Sequence, residues 1–197
     1  SLYVCSAPYL WRFDDVDGDG RSEQRHRLLG KFTFTGQSDS MHGPVLGPDG
    51  RLYICGGQNG WALGDPDSDP ETESDVPGVF SCWPDGSDAE VLAYGGFHNP
   101  VEATFTSEGE VFGTVAVHYK FPRRRDAVLH WIYGGVFNLN PVKYSRVKRT
   151  GEILTPLSYR GHVAPAGNTR YRGTQFGPEY RDNIFFAEFN THKVYRL

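Results

Sequence analysis

The sequence has no long apolar run, no excess of basic residues, and only three cysteines among its 197 residues. Because a membrane-spanning helix needs about 18 or more consecutive apolar residues, no such helix is predicted. The net charge of −4 argues against a nucleic-acid-binding protein, which normally carries a basic face. An odd cysteine count favours small buried thiols in strands, although Cys55 and Cys82 could pair across adjacent strands.

The sequence also lacks any segment with the apolar period of an amphipathic helix. Glycine and proline are abundant instead, with 24 and 13 residues, and aromatic residues make up 14% of the chain. This composition is typical of many short strands joined by tight turns, with aromatic side chains supplying the core volume.

A strand–turn–strand unit recurs along the chain. Its clearest copy is residues 41–57, in which Pro48-Asp49-Gly50 has the composition of a tight turn, and a second copy is residues 99–114. An aliphatic residue followed by an aromatic one marks the copies, at Leu2-Tyr3, Leu52-Tyr53, Val111-Phe112 and Ile184-Phe185. Repeats of about 40 to 50 residues with several strands each are typical of β-propeller blades.

The repeats predict an all-β fold, with residues 1–197 forming a single partial β-propeller domain of roughly three to four antiparallel four-stranded blades. The approximate blades are residues 1–35, 42–95, 97–160 and 162–197. In the third blade, residues 135–138 are predicted as the third strand. Residues 58–77 and 118–134 are predicted as insertions on one elaborated face. Because both ends cut through repeat units, we expect the chain to be a fragment of a longer protein.

The sharpest local motif is the acidic turn, residues 15–23. Asp15, Asp17 and Asp19 alternate and are followed by Gly20, which is the spacing of oxygen ligands around calcium. The backbone carbonyl of Arg21 and the side chain of Glu23 would complete the ligand set. The position of the last strong EF-hand ligand is His26, and no flanking helix is predicted. We therefore expect an abbreviated, structural calcium loop on the face opposite the histidines, the alternative being an acidic hairpin without metal.

Five of the seven histidines fall in connections that a propeller places on one face. Neutral imidazole can accept a proton from a substrate hydroxyl near neutral pH, or it can bind metal, although no HxH or HExxH spacing is present. Individual loop histidines can also simply cap strands. The predicted rim consists of His42, His98, His118, His162 and His192, with Gln58, Asn59, Asn99 and Asn190 beside them and Arg124 and Arg170 as anion partners.

Four segments resemble the glucose/sorbosone dehydrogenase family of quinoprotein sugar dehydrogenases. They are residues 42–53, the motif Gly96-Phe97-His98-Asn99-Pro100, residues 161–167 with Tyr171-Arg172-Gly173, and residues 187–194. The last segment is most similar to a branch of membrane-bound dehydrogenase-like proteins in planctomycete-type bacteria, which often carry a C-terminal haem c domain. The resemblance covers nearly the whole chain.

The resemblance implies a six-bladed propeller that binds pyrroloquinoline quinone (PQQ) and acts on a sugar or alcohol in the bacterial periplasm or another extracytoplasmic location. His42 would be the general base and Asn99 a cofactor contact. The sequence departs from the family at His98, where the family has Arg, because neutral imidazole cannot replace a bidentate guanidinium. A non-catalytic propeller that serves as a scaffold or binds carbohydrate or a partner is therefore the alternative function.

Overall fold

The computed structural model describes residues 1–34, 36, 40–95, 99–119, 125–137 and 146–197, with the backbone alone for residues 117–119. The described chain is almost entirely β-structure, with one short 3-10 turn at Pro178–Tyr180. None of its helical segments is long and apolar enough to cross a membrane.

Four antiparallel sheets follow one another along the chain. The first sheet contains β1 (Leu2–Ser6), β2 (Tyr9–Asp14) and β3 (Gln24–Gly30). The second contains β4 (Met41–Leu46), β5 (Leu52–Gly56), β8 (Gly78–Cys82) and β9 (Glu90–Tyr94), and a separate hairpin inserted after β5 contains β6 (Trp61–Leu63) and β7 (Thr72–Ser74).

The third and fourth sheets complete the described chain. The third contains β10 (Asn99–Phe105), β11 (Val111–Tyr119), β12 (Arg125–Trp131) and β14 (Ser158–Arg160), and β13 (Gly135–Val136) lies between β12 and β14 in sequence. The fourth contains β15 (Pro165–Arg170), β16 (Ile184–Glu188) and β17 (Lys193–Arg196).

Strands β4, β10 and β15 are the inner strands of three successive sheets. Strand β10 packs on β4 and β5, and β15 packs on β10 and β11. In the same way, strand β4 packs on β1 of the first sheet. Strand β1 therefore has the position in the first sheet that β5 and β11 have in the second and third sheets. This arrangement confirms the predicted all-β fold and defines part of a β-propeller. Within the described residues β15 does not pack extensively on β1, so the arc of sheets stays open.

The third sheet corrects two predictions. Its third strand is β12, which lies inside the segment predicted as an insertion at residues 118–134. Residues 135–138 do not supply that strand, because β13 instead joins the second sheet, parallel to β9. The physical reason is burial of Phe137 between the two sheets. Its N–H donates to the carbonyl oxygen of Tyr94 of β9 at 2.9 Å, and its ring, 1% exposed, packs edge-to-face on Trp131 of β12 with a centroid distance of 5.1 Å.

The seams between sheets hold the inner strands in place. Tyr53 of the second sheet contacts Phe105 of the third with ring centroids 4.8 Å apart. Between the first and second sheets, Phe32 and Phe80 make a similar contact at 5.2 Å. Burying each large apolar side chain contributes about 1.5–3 kcal/mol. Aromatic packing therefore fixes the second sheet against its neighbours on both sides.

All three cysteines are free thiols. Cys55 lies opposite Val79, and Cys82 lies opposite Leu52, so the two residues are not cross-strand partners. The alternative of a Cys55–Cys82 disulfide is therefore wrong, because the strand register separates the two side chains.

Candidate functional site

The starts of the inner strands bring His42 and Asn99 together. His42 is the second residue of β4, and Asn99 is the first residue of β10. His42 Nε2 and Asn99 Oδ1 are 2.8 Å apart, within hydrogen-bond distance. This bond joins the second and third sheets at the predicted histidine rim.

The backbone after His42 is shaped by a glycine. Gly43 has φ of 106°, a conformation that residues with a Cβ rarely adopt. A Cβ at this position would lie 2.8 Å from the carbonyl oxygen of Tyr53. The register of β4 against β5 is interrupted between His42 and Val45. This bulge sets the direction in which the His42 side chain leaves the strand.

The partner of His42 determines its tautomer. The amide oxygen of Asn99 can only accept, so His42 Nε2 must donate and carry the ring proton. In the neutral imidazole the lone pair is then on Nδ1. His42 and Asn99 are both half-buried.

Gln58 and Asn59 lie in a turn beside the start of β4. The N–H of Gly57 donates to the carbonyl oxygen of Ser40 at 3.0 Å, which ties this turn to the segment before His42. Gln58 is half-buried and Asn59 is exposed. Both predicted contact residues therefore share the end of the second sheet with His42.

His162 and His192 lie together at the matching end of the fourth sheet. The Asn190 side chain donates to the carbonyl oxygen of His162 at 3.1 Å. Both histidines are exposed. Their backbone positions fit the predicted face, but the His42–Asn99 pair does not include them.

For three of the predicted site residues, the side chain lies outside the described part of the structure. His98 and Arg124 lie outside the described residues. His118 lies near the end of β11, and its side chain is also outside the described part of the chain.

Arg170 is not at the histidine rim, and its prediction as an anion partner there is wrong. It is the last residue of β15, whereas the rim lies at the start of that strand. Five residue steps separate Pro165 from Arg170, which is roughly 16 Å along an extended strand. Arg170 therefore belongs to the opposite end of the sheets.

The acidic turn forms a cluster of carboxylates. One oxygen from each of Asp15, Asp17, Asp19 and Glu23 lies within 4.8 Å of the others, and all four residues are exposed. Backbone N–H groups inside the turn fix the carboxylates. Gly18 donates to Asp15 at 2.7 Å, and Val16 donates to Glu23 at 2.7 Å.

The acidic turn and His42 lie at opposite ends of the sheets. The turn connects β2 to β3, at the end where Asp14 pairs with Gln24. The other end of β3 leads to Phe32, which bridges to Trp61 in the segment after β5. Since β5 ends beside the start of β4, that second end is the end of His42.

Asp126 is a residue that the sequence reasoning missed. It is fully buried, and its Oδ2 accepts the backbone N–H groups of Val163 at 2.8 Å and Ala164 at 2.7 Å. These bonds fasten the segment that carries His162 to the third sheet. The sequence signal for this strand was the run Asp126–Trp131, because its residues after Asp126 are mostly apolar. That run matches a strand if the carboxylate of Asp126 is taken to be buried and hydrogen-bonded.

Solved structures share this architecture. The PQQ-bound form of an aldose sugar dehydrogenase from Streptomyces coelicolor matches 99% of this chain and 57% of its own, with a TM-score of 0.66 and 15% identity. A provisionally assigned oxidoreductase (glucose dehydrogenase) from Thermus thermophilus matches 96% of this chain and 61% of its own, with a TM-score of 0.60 and 18% identity. The chain therefore spans about three fifths of each of these structures.

The fold and these matches define the chain as part of a β-propeller of the architecture found in sugar dehydrogenases. The chain belongs to the family DUF7133, a domain of unknown function whose profile matches residues 1–196. No curated protein matches the sequence.

Proposed function

We propose that the chain is part of a quinoprotein-like dehydrogenase that oxidises a sugar or alcohol, with His42 as the general base. The observation that carries this proposal is the hydrogen bond between His42 and Asn99 at the start of two inner strands. The shared fold with a PQQ-bound aldose sugar dehydrogenase supports the reaction class. The membership in the planctomycete-type branch and the extracytoplasmic location are part of the same proposal.

The donors at the rim fit part of the implied cofactor. Amide N–H groups of Asn99, Gln58 and Asn59 suit the carbonyl oxygens of a quinone, because those oxygens accept hydrogen bonds. The carboxylates of PQQ call for cations, and the sequence offers Arg124 for that role, whereas the neutral His98 would donate one hydrogen bond without a charge. His162 would lie near the axis with His42, and His118 and His192 would line the outer part of the same face. When bound, the quinone would accept the hydride from the carbon that carries the substrate hydroxyl.

His42 would take the hydroxyl proton in this reaction. With Nε2 donating to Asn99, the lone pair of Nδ1 is the base. Once protonated, the imidazolium would keep its bond to the Asn99 oxygen, which holds the ring orientation through the transfer. Asn99 is thus proposed to orient the base as well as to contact the cofactor.

The acidic turn is proposed to bind a structural Ca²⁺. Its four clustered carboxylates are hard oxygen ligands of the kind that calcium prefers, and the Arg21 carbonyl would add a further oxygen. Four exposed carboxylates at this spacing repel one another, and a divalent cation would remove that repulsion. Because the turn is at the end of the sheets opposite to His42, this calcium would stabilise the fold without touching the substrate.

The proposal is tested by adding PQQ, Ca²⁺ and a panel of aldoses and alcohols to the protein, with an artificial electron acceptor. We expect a bound-quinone absorbance and reduction of the acceptor with at least one substrate. Absence of both would favour the non-catalytic scaffold. A Cys-x-x-Cys-His motif encoded downstream in the same gene would provide the proposed haem c domain as electron acceptor.

A further inference from the structure

A second site lies at the other end of the inner strands. A pocket of about 290 Å³ is lined by the final residues of all three, Leu46 of β4, Phe105 of β10 and Arg170 of β15. This inner-strand pocket is near the lower end of the roughly 300–1,000 Å³ typical of small-molecule sites. Its size suits a ligand the size of a monosaccharide.

The charges of the inner-strand pocket favour an anion. Two guanidinium groups, Arg170 and Arg172, line it together with one carboxylate, Glu102. Glu102 Oε2 already accepts the backbone N–H of Asn168 at 3.0 Å. Outside the lining, Asp182 Oδ1 lies 3.6 Å from Arg170 Nε, which is too long for a hydrogen bond.

Two polar atoms of the pocket residues have unmet hydrogen-bonding capacity. Arg170 Nε and Asn168 Oδ1 are buried and have no hydrogen-bond partner among the described residues. Leaving such an atom unpaired is destabilising, and a bound ion or molecule is one reason for which a protein keeps it. The first atom is a cationic donor and the second is a neutral acceptor. A ligand that carries an anionic group and a hydroxyl donor satisfies both, with the anion on the cationic donor.

We propose that the inner-strand pocket binds a polyhydroxy carboxylate, that is, a sugar acid. The ligand carboxylate accepts from Arg170 and Arg172, in the charge-assisted manner typical of guanidinium groups. Ligand hydroxyls donate to Asn168 Oδ1 and to the Glu102 carboxylate, after small side-chain shifts that expose the buried atoms. The site is separate from the His42 rim, and it does not depend on the dehydrogenase proposal.

The test is calorimetric titration of the whole chain with gluconate, glucose and acetate. Glucose keeps the hydroxyls without the charge, and acetate keeps the charge without the hydroxyls. Gluconate is expected to bind about tenfold more tightly than either probe, since it makes both kinds of contact. Absence of gluconate binding overturns the proposal, and equal affinity for gluconate and acetate overturns the sugar-acid class.

Two variants distinguish binding in the inner-strand pocket from nonspecific attraction between gluconate and the positive charges of the protein. Arg172→Gln is expected to weaken gluconate binding about fivefold or more, because it removes a charge-assisted contact. Arg181→Gln is the matched control, because Arg181 is an arginine of the same connection, 60% exposed and outside the pocket lining. It should leave gluconate binding unchanged. Equal losses in the two variants would overturn the proposal.

Discussion

His42 Nε2 donates to Asn99 Oδ1 across 2.8 Å, and this bond joins the start of the second sheet's inner strand to that of the third. The contact depends on two backbone features. Gly43 permits the bulge after His42, and packing of β10 on β4 sets the distance between the strands. The proposed base and the residue that orients it therefore come from separate sheets, so the orientation of the His42 ring depends on how those sheets pack.

Replacement of Asn99 is expected to let neutral His42 carry its ring proton on either nitrogen. In the wild-type protein, nitrogen-15 NMR of labelled histidine should show the proton of neutral His42 on Nε2. Asn99→Ala should give a mixture of tautomers, because the acceptor is gone, whereas Asn99→Asp should keep the proton on Nε2. The control Asn59→Ala changes an exposed asparagine of the same rim and should have no effect. An unchanged tautomer in Asn99→Ala would contradict the orienting role.

The calcium proposal predicts stabilisation that depends on the acidic turn. Wild-type protein should melt at a higher temperature in Ca²⁺ than in chelator, because an ion bound only by the folded state adds to its stability. Asp17→Asn should remove most of this difference. Asp69→Asn, in the exposed acidic segment after β6, should retain it. Equal melting temperatures of the wild-type protein with and without Ca²⁺ would rule the calcium loop out.

Loss of the Asp126 carboxylate should destabilise the whole arc. Asp126→Ala leaves the N–H groups of Val163 and Ala164 without their acceptor in a buried position. We expect a loss of about 2–4 kcal/mol in the free energy of unfolding, measured with urea. A surface control, Asp69→Ala, should change it by less than about 0.5 kcal/mol. A similarly small change in Asp126→Ala would show that water replaces the carboxylate.

The three thiols should be unreactive in the folded protein. Burial raises the pKa of Cys82 to about 12 and raises the pKa of Cys5 and Cys55 as well. Because the thiolate is the reactive form, native protein at pH 8 should react slowly with a thiol-specific disulfide reagent. Denatured protein should react with all three cysteines at once. Rapid labelling of Cys82 before unfolding would show that the first and second sheets separate easily.

Much of the fold could be predicted because local chemistry repeats. The aliphatic–aromatic pairs recur in all four sheets and the acidic-Gly turn in the second and third, and the strand starts that they define place His42 and Asn99 at one end. The carboxylates of the acidic turn cluster because their spacing is short and local. Both features depend on few residues that are close in sequence.

The features that could not be predicted depend on contacts between sheets. Strand β12 begins at Arg125, the last residue of the basic run Arg123-Arg124-Arg125, and such a run is typical of a solvated loop. Strand β13 pairs with β9 of the second sheet, and Phe137 directly after it is buried between Ala93 of that sheet and Trp131 of the third, a contact between sheets that no local pattern encodes. The predicted position of Arg170 was wrong for a related reason. The distance of Arg170 from the rim depends on the residue at which β15 starts.

The role of His42 is tested most directly by comparing turnover and quinone affinity in His42→Ala and in wild-type protein. Removal of a general base should lower kcat by about a hundredfold or more. Affinity for PQQ should stay within about threefold, since the base acts on the substrate proton rather than on cofactor binding. His130→Ala serves as the control, because the His130 ring lies beside Glu110 at the other end of the third sheet, and this variant should retain turnover. A His42→Ala protein that oxidises sugar at the wild-type rate would contradict the account.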